Sequence, residues 1–399
     1  MVNSQILSIF APQSVHFSHM GLCHIIETII HGNNSKTYII LKKTIMKKSL
    51  ILCAAMLACA LSFQSCSKED NVGASTMDEM AYDLARVDFA TIIDKYTNAN
   101  NELYLPAGAE VTIDKAIELE APLYIIGDKK NPAKIVAKAG FVTNSSLIFE
   151  NVEINATEVE TPFILLPQFE LKEGEVSKKI DLFAFINSKI SGLKYQFIYA
   201  NKQSYLVDCI NIQKSVIAYD GSKKKTIFDF NGGGNVAFLG VSESTIFANP
   251  KVGMNGGFFS SQTSKNVPDL GGTTQAFAVT NSTLYNITNG NDMCSFRSKD
   301  QAYISFRIEN SILANCGKDK QFYKGFAGGS DAKKSTWEVS GNVNNWGGED
   351  TSADETVAGS NENVKNPVKM VIEFADAEKG DFTQKQTSAG DPRWIANAQ

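Results

Sequence analysis

The stretch Ala302–Gly317, AYISFRIENSILANCG, decides how this chain folds. Apolar and polar residues alternate through Tyr303, Ile304, Ser305, Phe306, Arg307 and Ile308, the period of a strand with one buried face. An Asn-Ser step follows at Asn310 and Ser311, and a second apolar pulse, Ile312-Leu313, closes the unit before Asn315 and Gly317. The unit reads as strand, bend, strand.

The same phrase recurs. Aligned on the small polar step, it is SLIFENVEI at Ser146–Ile154, LFAFINSKI at Leu182–Ile190 and YLVDCINIQKSVI at Tyr205–Ile217. It continues as VAFLGVSESTIF at Val236–Phe247 and AFAVTNSTLYNI at Ala276–Ile287. The step residues Asn151, Asn187, Lys214, Glu243, Asn281 and Asn310 lie 36, 27, 29, 38 and 29 residues apart. A right-handed parallel β-helix absorbs such unevenness, because each turn keeps its short strands while the loops between them vary in length. No single unit can bury its own apolar face, so stacked rungs must supply the core. Antiparallel sandwich strands are the alternative, but they would not be expected to repeat an Asn-Ser bend between paired pulses. The expected fold class is therefore all-β, a parallel β-helix over residues 101–345.

Ahead of the coil, Met77–Thr97 places Met80, Leu84, Val87, Ile92 and Ile93 at nearly helical spacing, and residues 77–100 are expected to form a helical cap. An amphipathic helix would cover the unpaired strand edges of the first rung. Residues 346–399 are expected to close the other end, with Pro392 stopping any strand and Trp394 sealing the last rung.

The start of the chain is read as a processing segment. Met46-Lys47-Lys48 is basic, Leu50–Phe63 is apolar, and small residues lead to Cys66, the pattern of a lipoprotein signal peptide over 46–65. Cys66 would then carry the lipid, with 66–76 as tether, and residues 1–45 would be an upstream extension that is not translated. The alternative is an ordinary secretory signal with an incidental Cys66. The apolar run is shorter than the roughly 20 residues of a spanning helix.

Composition narrows the chemistry. All four histidines, His16, His19, His24 and His31, precede Met46, so a mature chain from Cys66 has no His base, His-zinc site or Ser-His triad. Setting aside residues 1–65, with five lysines and one glutamate, lowers the basic and acidic totals from 38 and 43 to 33 and 42, a net charge of −9. The only Lys/Arg run, Lys223-Lys224-Lys225, beside Asp220-Gly221, is most simply a solvated turn. Nucleic acid is not an expected partner. Gly-rich corners such as Asn231–Asn235 lack the following Lys-Ser/Thr and helix of a phosphate loop.

Several stretches carry a resemblance. Leu103–Gly108 and Leu123–Asp128, followed by Pro132–Val136, resemble the opening rungs of pectin-lyase-like β-helix proteins, and the similarity covers roughly 101–345. Ser67-Lys68-Glu69-Asp70-Asn71 looks like the signal that sends Bacteroidota lipoproteins to the outer face of the outer membrane, and equally fits a solvated tether. Gly380–Thr383 with Ala389–Trp394 resembles the ending of Bacteroidota surface lipoproteins of domain-of-unknown-function families. The resemblance implies a lipid-anchored, cell-surface outer-membrane protein near polysaccharide machinery.

Three functions stay open. A non-catalytic glycan-binding or glycan-handling accessory protein needs exposed aromatic rings, for which Phe258, Phe259, Phe322, Tyr323, Trp337 and Trp346 are the candidates, with polysaccharide as partner. Loops around Lys251–Thr274 and Asp319–Lys334 are the expected places for such a surface. A polysaccharide lyase is the first rival. The β-helix precedent implies a basic residue, Arg297 or Arg307, and calcium held by Asp292 and Asp300 with Glu309 nearby, although Arg307 also fits an ordinary outward strand position. A structural, adhesin-like solenoid is the second. No paired Asp motif of a glycoside hydrolase occurs in the coil. Cys209 is expected in the core, and Cys294 and Cys316 are left open as a pair or as separate thiols.

Overall fold

The computed structural model describes residues 74–261, 267–288, 293–296, 304–316, 335–345, 365 and 367–396. The signal segment, the lipidation candidate Cys66, and the site candidates Asp292, Arg297, Asp300, Phe322, Tyr323 and Trp346 lie outside these residues.

Every strand pairing between named strands is parallel, and the chain winds through three sheets in turn, a parallel β-helix. Sheet one holds Glu102–Tyr104, Leu123–Ile126, Leu147–Glu150, Lys178–Ile186, Tyr205–Gln213, Asn235–Ser242, Gln275–Thr280, Ile304–Glu309 and Thr336–Ser340, here numbered as rungs one to nine. Sheet two follows each of these, from Glu110–Ile113 to Val343–Asn345, and adds Val368–Lys369. Sheet three runs from Ile117–Leu119 to Cys294–Phe296.

The repeated step is the corner between sheets one and two. Asn151, Asn187, Lys214, Glu243, Asn281 and Asn310 all have φ between 44° and 55°, the left-handed conformation that turns the chain sharply without breaking the ladder. Asparagine tolerates this region best, and Asn187 Nδ2 donates to Asn151 Oδ1 at 2.6 Å from one rung to the next. At the corresponding corner of rung two stands Gly127, where a Cβ would meet the Asn151 carbonyl oxygen at 2.2 Å. Close approach of the next rung, rather than a positive φ, requires glycine there.

From Asn187 onward the residue after each of these five corners is a buried serine, Ser188, Ser215, Ser244, Ser282 and Ser311. The backbone N–H groups of Ser188, Ser215, Ser244 and Ser282 donate to the Oγ of Ser215, Ser244, Ser282 and Ser311 at 3.0–3.2 Å. Each hydroxyl in turn donates to a carbonyl two residues back in its own rung, at 2.7 Å from Ser215 to Gln213 and 2.8 Å from Ser311 to Glu309. An N–H that the turn removes from the strand ladder is thereby satisfied without water.

The core is a set of in-register apolar columns. In sheet one Leu123, Leu147, Phe183, Ile210, Leu239, Phe277, Phe306 and Trp337 follow one another rung by rung. Rings stack along this column, Phe277 on Phe306 at 5.5 Å and Phe306 on Trp337 at 4.3 Å. Alternation in the sequence is thus the wall of a solenoid, inward residues stacking and outward residues facing away.

The cap differs from the single helix expected over 77–100. Two helices form, α1 at Ala74–Leu84 and α2 at Phe89–Tyr96. Asp88 causes the break, because its carboxylate accepts the Thr91 N–H at 2.8 Å and starts a new helix. Phe89, Ile92 and Ile93 are buried with the core of the first rungs. Among the described residues no helix is long and apolar enough to cross a membrane.

The C-terminal segment also departs from expectation. Val368–Lys369 pairs with Val343 and Asn344 of the last rung, and beyond it the segment turns back along the outside of sheet two, so that Trp394 lies at rung six rather than on the last rung. Gly390 N donates to the Asn310 carbonyl in rung eight, and Asp391 N to Thr283 Oγ1 in rung seven. Asp391 accepts from Thr245 Oγ1 in rung six, and Trp394 Nε1 donates to the same hydroxyl at 2.8 Å. Arg393 reaches the Ser215 carbonyl in rung five at 2.7 Å.

Candidate functional site

Three of the aromatic candidates are core residues. Phe258, Phe259 and Trp337 are 0%, 1% and 1% exposed, and none can stack on a sugar. At the entry to sheet three two adjacent columns are buried side by side, Phe163–Phe197–Ile227–Phe258 and Ile164–Ile198–Phe228–Phe259. Phe258 meets Phe228 at 5.5 Å and Phe259 meets Phe277 at 4.9 Å. Simple alternation would have turned one of the pair outward.

Arg307 lies on the outward face of sheet one, in register with Ala278 and Glu338, and its side chain is 40% exposed. Its Nη2 donates to Glu309 Oε2 at 2.8 Å. Burial raises the Glu338 carboxyl above the ordinary carboxylate value, and the Arg307 charge opposes that rise. The structure thus joins Arg307 and Glu309, two of the lyase candidates, as an ion pair. Among the described residues no three His, Cys, Asp or Glu side chains gather as a metal site would require.

Cys294 and Cys316 are buried thiols, not a disulfide. The Cys316 Sγ faces the Leu284 and Ala314 carbonyls, both at 3.3 Å, and burial pushes its pKa up to about 12. Cys209 is half-buried on the outward face of sheet one, between Leu182 and Phe238, rather than in the core. The described part of the Lys251–Thr274 loop packs down on the coil, with Val267 and Leu270 against Leu206.

An open groove of about 270 Å³ lies on the outer face of sheet two. The outward column of that sheet explains where it falls. Glu110, Lys134, Glu153 and Lys189 occupy it in rungs one to four, followed by Val216, Thr245, Thr283, Ile312 and Val343. The apolar half lies along the returning tail, where Ile312 and Val343 cluster with Ile372 and Ala389. The charged half is open, and the groove begins where the tail ends. Lys129, Glu153, Asn187, Lys189, Lys214 and Arg393 line it.

The groove wall at Arg393 is rigidly held. Its Nε donates to both Asp391 oxygens at 3.0 and 3.1 Å, and Nη2 to the Ser215 carbonyl. Asp391 has no exposed side-chain surface. Arg393 therefore contributes charge and shape, most of its donors being spent on the protein, whereas the lysine ammonium groups keep theirs. Lys214 has Glu243 at 3.9 Å, the outer limit of an ion pair.

A second outward surface, on rungs one to four of sheet one, was not singled out by the sequence reading. Two rows run along it, Glu102–Tyr124–Ile148–Ala184 and Tyr104–Ile126–Glu150–Ile186. The Tyr104 hydroxyl donates to Glu102 Oε2 at 3.2 Å, and Asn98 Nδ2 donates to the same oxygen at 2.9 Å. Burial raises the Glu150 carboxyl, and Lys129 opposes the rise. The signal was present at alternate positions of Leu103-Tyr104-Leu105 and Leu123-Tyr124-Ile125-Ile126, where the tyrosines fall on the outward phase. No family model, no curated protein and no solved structure matches the chain.

Proposed function

We propose that this chain is a lipid-anchored protein of the outer-membrane surface that binds polysaccharide without transforming it, and that the groove on sheet two is its binding surface. The observation that carries the reading is the lining of that groove, where Lys129, Lys189 and Lys214 gather beside Glu153, with Arg393, matched by the buried Asp391, as a fixed wall. In a chain with more acidic than basic side chains, such a concentration of positive charge favours a carboxylated or sulfated glycan. The resemblance to pectin-lyase-like surface lipoproteins of Bacteroidota supports the same setting, and the Met46–Cys66 segment supports the anchor.

The test is a glycan array probed with the soluble chain from Ser67 onward. Acidic polysaccharides are expected to bind, with affinity falling as salt screens the lysines and falling further in Lys189→Ala with Lys214→Ala. A parallel assay at 235 nm with calcium reports unsaturated product. Growth of that absorbance, lost in Arg307→Ala, would replace the binding reading with the lyase, and silence in both assays would move it to the structural solenoid.

A further inference from the structure

The outward face of sheet one in rungs one to four carries a chemistry different from the groove. Its two rows present the rings of Tyr104 and Tyr124, the aliphatic side chains of Ile126, Ile148 and Ile186, and the carboxylates of Glu102 and Glu150. No lysine or arginine occupies either row over these rungs. Some outward apolar residues of this molecule are covered, by the tail over Ile312 and Val343 and by Val267 and Leu270 over Leu206, whereas Val136 and Val368 stand singly exposed. The tyrosine face has no such apolar cluster over it among the described residues. Its rings and the Glu150 carboxylate are partly exposed, and the Glu150 charge acts on the Tyr104 phenol.

Charge decides the class of occupant. A uronate or sulfate would bring an anion beside Glu102 and Glu150, in a setting where burial already penalises the Glu150 charge and the nearby Lys129 offsets that penalty only in part. A neutral saccharide meets no such repulsion. Its apolar C–H faces lie on tyrosine rings, and its hydroxyls donate to carboxylate oxygens, which are pure acceptors. The Glu150 carboxylate accepts no hydrogen bond among the described residues, and Glu102 is already fixed in place by Asn98 and Tyr104. Successive rungs repeat at about 4.8 Å, so the rows place Tyr104 on the first rung and Tyr124 on the second at a spacing close to that of successive pyranose rings in an extended chain.

We infer that Tyr104, Tyr124 and Glu150 form a subsite for a neutral oligosaccharide lying along the rungs of sheet one, separate from the cationic groove. The inference extends the saccharide-binding reading to a second face and rests on residues that do not line the groove. A basic peptide, drawn by the two carboxylates, is the rival occupant.

The test titrates the soluble chain from Ser67 onward with cellohexaose, xylohexaose, mannohexaose and maltohexaose, and separately with decalysine, following heat and tyrosine absorbance. At least one hexasaccharide is expected to bind and to perturb the tyrosine spectrum. Its affinity should fall about tenfold in Tyr124→Ala and in Glu150→Gln and stay unchanged in Lys189→Ala. Tyr124→Val, which keeps a strand-forming residue, serves if the alanine variant does not fold. Absence of binding by all four hexasaccharides at millimolar concentration, binding that survives both site variants, or binding of decalysine alone would overturn the inference. The groove reading fails separately, through acidic polysaccharides and the lysine variants.

Discussion

At the scale of single residues, the serine that follows the corners from Asn187 onward does more for the fold than its polarity promises. Ser215 and Ser244 have no exposed surface, yet each hydroxyl both accepts an N–H from the preceding rung and donates within its own. Ser215→Ala would strand the Ser188 N–H in the core, and a loss of about 1–3 kcal/mol is expected in denaturant unfolding, against a near-neutral effect for the exposed Ser222→Ala. Glu150 supplies a pH signature of opposite sense. Because burial raises its folded-state pKa above the ordinary 4.5, the unfolded chain releases the proton first, and its contribution to stability falls as pH rises from about that value through the folded pKa. Glu150→Gln should therefore raise the melting temperature at pH 7 and leave it unchanged at pH 3, where both chains are neutral at this position. Cys316, with its thiol pushed up to about 12, should resist maleimide in the native state at pH 8 and react only on unfolding.

At the scale of elements, the returning tail is the least expected feature, and its lock is the Asp391–Arg393 pair. The buried Asp391 carboxylate takes the Arg393 guanidinium, the Arg393 N–H and the Thr245 hydroxyl, so the tail's end is tied to rungs five and six by polar contacts. Behind the lock, Phe374 and Phe382 pack edge-on against Tyr285 at 5.6 and 5.4 Å, and Phe382 against Phe247 at 4.9 Å. Arg393→Ala would leave a buried charge short of its partner. A loss of about 3 kcal/mol is expected, at the low end for a broken buried pair because the guanidinium is partly solvated and Thr245 still donates. Limited proteolysis should then cut between Gly380 and Arg393 in the variant while the rungs stay intact.

At the scale of the whole molecule, stability is a sum of neighbour contacts, since each rung touches only the rungs beside it. The ends are consequently the weak points. The cap meets that need at the first rung, where α2 packs against Glu102–Tyr104 and Glu110–Ile113. Deleting residues 74–97 should expose the free edges of these strands, and light scattering is expected to show concentration-dependent association in place of a monodisperse species. Retention of the parent's mass and melting curve would show that the cap is dispensable.

The sequence by itself determined the parallel coil, because the alternation and the recurring polar step are local consequences of a pleated strand and a left-handed corner. The spacing of Asn151, Asn187, Lys214, Glu243, Asn281 and Asn310 is the spacing of those corners, one per rung. Only the tertiary structure decided which aromatic residues face water and what the tail touches. Phe258 and Phe259 are both buried at the entry to sheet three, a property of closure around the core that no alternation within one strand encodes. The groove had no local signature at all, since Lys129, Lys189, Lys214 and Arg393 are brought together by rung stacking and by a tail returning across rungs eight to five. Contacts set by rung register are written across hundreds of residues, and a window of ten cannot hold them.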